Sequence, residues 1–204
     1  EMILAAEKDP AFAKVLQNAT LRIPDGIGLV WALARRGIKA KRLPGIELSE
    51  AIINHCRENN IPVAFIGASP EVMTALIPAL HTKYTGLNIV YSHHGFFKAE
   101  SPEEQTVLSQ CIESKPQVVF LALGFPRQEF WIAENQPKFN SPTIMVGVGG
   151  SFDVWSGLKK RAPKIFRDCQ AEWLYRISSE PWRIQRVMKT LPQFLVKAIL
   201  LGHN

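Results

Sequence analysis

The sequence predicts an α/β fold: a Rossmann-like, mostly parallel sheet with helices on both faces, followed by a basic helical appendage. Three observations carry this. Short apolar runs alternate with stretches of helical period, the pattern of parallel strands joined by right-handed crossovers. The runs themselves, such as Val118-Val-Phe-Leu-Ala-Leu123, lack polar alternation, as expected of strands covered on both faces. And the charge is divided. Residues 158–204 carry ten Lys/Arg against three Asp/Glu, a balance of +7 in a chain of +6, so residues 1–157 sum to −1.

The elements follow in order. Met2, Ile3, Ala6, Phe12, Val15 and Leu16 recur at roughly helical spacing. Leu21-Arg-Ile23 reads as a short strand stopped by Pro24-Asp25-Gly26. Ile27 to Arg36 reads as a helix ended by Gly37. Lys39 to Gly45 is a basic loop, and Ile46 to Asn59 a second helix with Ser49 near its start. Pro62 to Ile66 is a strand closing in Gly67-Ala-Ser-Pro70, where a helix to about His81 begins. Asn88 to Tyr91 is a strand leading into His93-His-Gly-Phe-Phe97. Pro102 to Glu113 is a helix, capped by Ser101 with Glu104 three residues on. Val118–Leu123 stops at Gly124, and Gln128 to Asn135 is a helix. Thr143 to Val146 is a strand stopping at Gly147-Val-Gly-Gly150. Beyond Asp153 only helical patterns remain. This places a boundary near Leu158–Pro163, between a core of residues 1–157 and an appendage of 158–204.

Composition narrows the function. The chain has 204 residues, 47% of them hydrophobic, enough for a globular domain with a sizeable core. Three well-separated cysteines form neither a CxxC pair nor a disulfide framework, which fits a reducing cytosol. No stretch approaches the ~20 apolar residues that span a bilayer. The opening Glu-Met-Ile-Leu-Ala-Ala reads as mid-helix, and a natural beginning ahead of it is expected. The basic, Trp-, Leu- and Phe-bearing tail suits a surface that is both anionic and greasy.

In an open parallel sheet, ligands gather outside the carboxyl ends of the strands. Pro24-Asp25-Gly26 is a favoured turn, and it also sets a carboxylate where it could take a proton from an attacking hydroxyl. Gly124-Phe-Pro-Arg-Gln128-Glu129 is either an ordinary βα loop or an anion site at a helix start, with Gln128 projecting amide donors. Gly147-Val-Gly149-Gly150-Ser-Phe-Asp153 leaves room for a ribose or phosphate, with Asp153 placed to accept from ribose hydroxyls. It has neither the GxGxxG spacing nor the Gly-Lys-Ser/Thr of a P-loop. His93-His94 would point to opposite faces of a strand and lack a ligand-spaced partner, so no metal site is expected, nor any cofactor. Arg176, Arg183 and Arg186 would share a helix face, although Pro181 interrupts it. They offer bidentate forks to phosphate among Trp173, Tyr175 and Trp182.

Together PDGIGLVW (24–31), RLPGIEL (42–48), HGFF (94–97), GFPRQEFWIAEN (124–135), GVGGSFD (147–153), G-LKKRAP (157–163) and EWLYR (172–176) with Arg183 and Arg186 form an ordered set. In this the chain closely resembles the bacterial WecG/TagA/CpsF glycosyltransferases over essentially its whole length. The resemblance implies an inverting, metal-independent transfer of N-acetylmannosamine or a related sugar from a UDP-sugar. The implied acceptor is polyprenyl-diphosphate-linked GlcNAc, at the cytoplasmic face of the bacterial membrane, in teichoic acid or surface-polysaccharide synthesis. It implies Asp25 as base. It implies Arg42, Gly124, Gln128, Gly149, Gly150 and Asp153 at the donor, and Arg176, Arg183 and Arg186 closing over the anionic substrates. It links the appendage to peripheral association with an anionic membrane surface, and to a switch between an oligomer and an active monomer. Family members begin some tens of residues earlier, with a first strand and a Thr-bearing segment that this sequence lacks.

Two other classes make different demands on the sequence. A nicotinamide-dependent oxidoreductase needs an early GxGxxG and a later acid, and neither is present. A nucleotide-binding module whose basic arm holds nucleic acid or membrane without catalysis is the alternative. The leucine-rich end of the tail favours lipid, so no nucleic-acid partner is expected.

Overall fold

The structure, a computed structural model, describes residues 2–169 together with 172, 174, 175, 184 and 192–194. The chain divides into two compact units, one of residues 45–160 and one of residues 1–44 with 161–204.

The unit of residues 45–160 holds the sheet. Its elements run α4 (Gly45–Glu58), β1 (Val63–Gly67), α5 (Pro70–Lys83), β2 (Ile89–His93), α6 (Pro102–Glu113), β3 (Val118–Ala122), α7 (Arg127–Asn135), β4 (Ile144–Gly147) and α8 (Ser151–Trp155), after α1–α3 of the other unit. The four strands are all parallel, in the order β2-β1-β3-β4. The expected parallel α/β sheet is present, with the four strands of this unit within two residues of where hydrophobic patterning puts them.

Alternation of side chains explains the absence of polar residues in the central strands. Val63 and Phe65 of β1 and Phe120 of β3 face one layer, with Ile53 of α4, Leu76 and Leu80 of α5, and Phe152 and Trp155 of α8. Ala64 and Ile66, with Val119 and Leu121, face the other, with Val107 and Cys111 of α6 and Trp131 of α7. Every residue of β1 and β3 is therefore buried. Phe65 stacks on Phe120 at 5.2 Å between ring centroids. Burial pushes the Cys111 thiol up to about 12, as expected of a small core residue rather than a nucleophile.

The helix starts are local chemistry. Ser69 and Ser101 each accept the backbone N–H three residues on, from Val72 and Glu104, and a proline follows each cap. Glu104 reaches back to the Glu100 N–H, one residue before the cap.

In the other unit the helices are α1 (Met2–Lys8), α2 (Pro10–Asn18) and α3 (Ile27–Arg35), with α9 (Lys164–Asp168) beyond the sheet unit. The single helical period read over residues 2–16 is two helices. Asp9 ends the first, and its carboxylate accepts the N–H groups of Ala11 and Phe12 to start the second behind Pro10. Leu21–Ile23 is not a strand. Leu21 is exposed and no strand pairs with this tripeptide among the described residues, while Arg22 donates to the Leu16 and Gln17 carbonyls at the end of α2. Gly37 closes α3 as expected, at φ +72°. Its N–H bonds to the Ala34 carbonyl and that of Ile38 to Leu33. Ser49 lies near the start of α4, as expected, donating to the Gly45 carbonyl.

Candidate functional site

Within the sheet unit, the loops after β1, β2, β3 and β4 emerge at the carboxyl ends of parallel strands, where an open α/β sheet collects ligands. They are built by close backbone approach. A Cβ on Gly67 would lie 2.5 Å from Ala122 main-chain atoms, and one on Gly95 would lie 2.9 Å from the Gly67 Cα. Ala68 donates to the Ala122 carbonyl and Gly95 to that of Ala68. The β1, β2 and β3 loops are thereby locked edge to edge.

The first turn of α7 ties this platform to its flanks. Arg127 donates to the carbonyls of Gly95 (3.2 Å) and Phe97 (3.0 Å), lies 4.7 Å from the Phe97 ring centroid, and pairs with Glu104 at 3.5 Å. Gln128 reaches the other way. Its Oε1 accepts the Gly149 N–H at 3.1 Å, and its Nε2 donates to Glu129 Oε1 at 2.7 Å. Gly147 allows this: a Cβ there would meet Gln128 Nε2 at 2.9 Å. Burial raises the Glu129 carboxyl above its ordinary value, against the opposing pull of the Gln128 hydrogen bond. Its Oε2 is buried and has no hydrogen-bond partner among the described residues.

The glycines of GVGG therefore differ in use. Gly147 makes space for the Gln128 amide, Gly149 adopts φ +50° with open space where a side chain would stand, and Gly150, where a Cβ would touch Asp153 Oδ2 at 3.8 Å, precedes α8. Asp153 sits in the first turn of α8 and pairs with Lys159 at 3.2 Å. Gly124, at φ +80°, turns the chain out of β3 with open space where a side chain would stand.

The paired histidines do not alternate across a strand. His93 is the last residue of β2 and His94 lies beyond it, so the pleat has ended and the rings meet at 4.3 Å between centroids. Candidate metal-binding atoms of His93, His94 and Glu103 all lie within 4.8 Å of one another. Hydrogen bonding gives the two Nδ1 atoms opposite roles: His93 Nδ1 donates to the His94 carbonyl (2.7 Å), whereas His94 Nδ1 accepts the Phe96 N–H (3.3 Å).

Asp25 and Arg42 belong to the other unit. Asp25 does not end a strand: it sits in the loop before α3, exposed. Arg42 reaches it across 17 residues, donating from Nε to the Asp25 carbonyl at 2.7 Å, with Nη2 3.8 Å from the Asp25 carboxylate. The same Nη2 lies 3.3 Å from Oε2 of Glu172, which is buried. Arg176, Arg183 and Arg186 lie outside the described residues.

The chain matches the model of the Glycosyl transferase WecG/TagA/CpsF family over residues 1–202. The chain belongs to that family, and so to the glycosyltransferases. Among its relatives are N-acetylglucosaminyldiphosphoundecaprenol N-acetyl-beta-D-mannosaminyltransferases of Staphylococcus aureus. Those of strains MW2 and NCTC 8325 / PS 47 are each 37% identical over 198 residues, 97% of this chain and 76% of the relative. That of strain MRSA252 is 36% identical over the same span. Among the described residues, no helix of this glycosyltransferase is long and apolar enough to cross a membrane.

Arg127, Glu129 and Glu172 did not emerge from the sequence as site residues. The first two sit inside the GFPRQE motif, where each reads as an ordinary charge on a helix start. Glu172 has no local signal, because its partner is 130 positions away.

Proposed function

We propose that this chain transfers N-acetylmannosamine, or a closely related sugar, from a UDP-sugar to polyprenyl-diphosphate-linked GlcNAc by an inverting displacement without a metal ion. The observation that carries this reading is the 37% identity, over 97% of the chain, to enzymes named as N-acetylmannosaminyltransferases acting on N-acetylglucosaminyldiphosphoundecaprenol.

In the proposed chemistry an acceptor hydroxyl attacks the anomeric carbon from the face opposite UDP. The new glycosidic bond forms as the bond to the UDP oxygen breaks, and the hydroxyl proton passes to Asp25. An exposed carboxylate whose main chain is gripped by Arg42 suits that role, because the loop is held while the side chain stays open. The donor is assigned to Gly124, Gln128, Gly149, Gly150 and Asp153, with Arg42. Gln128 Nε2 has a second N–H besides the one given to Glu129, and Gly124 and Gly149 leave open space for a nucleotide. Charge developing on departing UDP is assigned to Arg176, Arg183 and Arg186, acting as fixed cations. Residues 158–204 are proposed as the acceptor- and membrane-binding appendage, seated peripherally on the anionic cytoplasmic face of the bacterial membrane. The +7 balance of that segment supports this.

The test incubates the chain with UDP-N-acetylmannosamine and a short lipid-diphosphate-GlcNAc analogue, reading UDP release and the anomeric configuration of the product. Inverted product formed equally with and without chelator supports the reading, whereas loss of turnover in chelator overturns its metal-free part. Asp25→Ala is expected to lower kcat by about 10²–10⁴ while UDP still binds. Near-normal turnover would remove Asp25 from the role.

A further inference from the structure

We infer that Glu129 is a positioning residue for the donor loop: its carboxylate fixes the rotation of the Gln128 amide, and that amide holds the Gly147–Gly150 turn in place. The inference rests on the proposed reading of that turn as the donor site.

An unsubstituted amide has two ends of nearly the same shape and opposite hydrogen-bonding character. Gln128 presents its Oε1 to the Gly149 N–H and its Nε2 to Glu129. Rotating the amide by half a turn would set its N–H against the Gly149 N–H and its carbonyl against the Glu129 carboxylate. Both contacts would be repulsive, so the two neighbours together permit one orientation. The N–H of Gly149 belongs to the backbone and has to stay where the turn puts it. Glu129 is thus the side chain that discriminates between the two orientations. It stands in the first turn of α7, with the Gln128 backbone N–H bonded to the Gly124 carbonyl. The reference point is anchored to the end of β3 rather than to the loop it controls.

The surroundings are shaped for this relay. Gln128 is buried, and its amide lies against Gly147, at whose Cα any side chain would strike Nε2 and Cδ. Gly149 holds φ +50°, a conformation open to glycine without strain, so its N–H direction is left to the hydrogen bond it makes. The Val148 N–H bonds to the Leu121 carbonyl and Ser151 to that of Val148, pinning the turn's two ends. The Gln128 bond holds the residue between them. Glu129 also keeps one oxygen, Oε2, buried and without a hydrogen-bond partner among the described residues. Leaving an acceptor so placed is unfavourable, and a purely structural position would be filled more stably by an apolar or amide side chain.

The experiment compares Glu129→Ala, Glu129→Gln and Gln128→Ala with the double variant Gln128→Ala/Glu129→Ala. Two quantities are read on the intact chain: hydrogen exchange at the Gly149 amide, and UDP affinity. Glu129→Ala is expected to expose the Gly149 amide to exchange and weaken UDP by about tenfold, the scale of one lost hydrogen bond. Amides of β1 and β3 should keep their protection. Glu129→Gln, whose side-chain carbonyl still accepts from Gln128 Nε2, should recover most of both. In the Gln128→Ala background, adding Glu129→Ala should change neither. Additive effects, or an unchanged Gly149 amide in Glu129→Ala, would overturn the positioning role. Faster Gly149 exchange with UDP affinity unchanged would keep the relay and remove the donor from this turn, separating the failure of the functional reading from that of the relay.

Discussion

Gln128 accepts the Gly149 N–H across 21 residues of chain, at 3.1 Å, and Gly147 lies under the amide that does so. This relationship separates two glycines that look alike in sequence. Gly147→Ala would place a methyl 2.9 Å from Nε2 and 3.1 Å from Cδ of a buried side chain. The amide has to move, and the Gly149 bond goes with it. We expect a destabilisation of about 1–3 kcal/mol, from overpacking and one lost hydrogen bond. Gly150→Ala meets only Asp153 Oδ2, at an ordinary 3.8 Å, and its φ of −76° suits any residue. Its melting temperature should be that of the parent. A fall in UDP affinity in Gly150→Ala would then report crowding of a bound nucleotide rather than damage to the fold. Thermal melts beside UDP titrations check both halves.

What was legible in the sequence follows from the range of the forces involved. The sheet was legible because β1 and β3 are buried on both faces, leaving uninterrupted apolar runs such as Val118–Ala122. Helix starts at Ser69 and Ser101 were legible because a cap and its N–H are three residues apart. Asp9 was missed despite the same chemistry, since apolar residues on both sides of it continue one helical period. Leu21–Ile23 misled for the opposite reason: β-branched and apolar residues make a strand only with a neighbour to pair with, and pairing is not local. The glycine loops announced a special backbone, but not that one glycine serves a glutamine 19 residues earlier. The Arg42 contacts with Asp25 and Glu172 join residues 17 and 130 positions apart, and no periodicity encodes those.

Glu129 makes stability depend on pH in a direction opposite to that of a salt-bridged acid. Burial raises its carboxyl above the ordinary 4.5, so the folded chain holds the proton more tightly than the unfolded one. Where the folded state binds more protons, stability falls as pH rises. The fall begins near 4.5 and ends once pH has passed the raised value. Below that window both states are protonated and Glu129 has no effect. Glu129→Gln cannot ionise, so its stability relative to the parent should climb through the window and then level off. Urea denaturation of the two proteins at half-unit steps from about pH 4 to pH 8 checks this. A difference that stays flat, or shrinks as pH rises, would show that desolvation does not govern this carboxyl.

Arg42 joins the Asp25 loop to the chain at Glu172, and the two contacts can be taken apart. Its side chain is 17% exposed and that of Glu172 is 9% exposed, so both charges are largely out of water. Removing one member of such a pair is destabilising, whereas removing both relieves part of that. Arg42→Ala should therefore lower stability more than the double variant Arg42→Ala/Glu172→Ala. The coupling energy of the cycle should be about 1–3 kcal/mol. Turnover should respond differently. Arg42 also holds the Asp25 carbonyl at 2.7 Å, and Glu172→Gln leaves that bond in place. We expect Glu172→Gln to keep most of the parent kcat and Arg42→Ala to lose it, with Arg42→Lys failing to restore it because one ammonium cannot reproduce a guanidinium that serves a carbonyl and a carboxylate at once. Equal loss of kcat in Glu172→Gln and Arg42→Ala would place the control of Asp25 in the ion pair with Glu172 rather than in the grip of Arg42 on the Asp25 main chain.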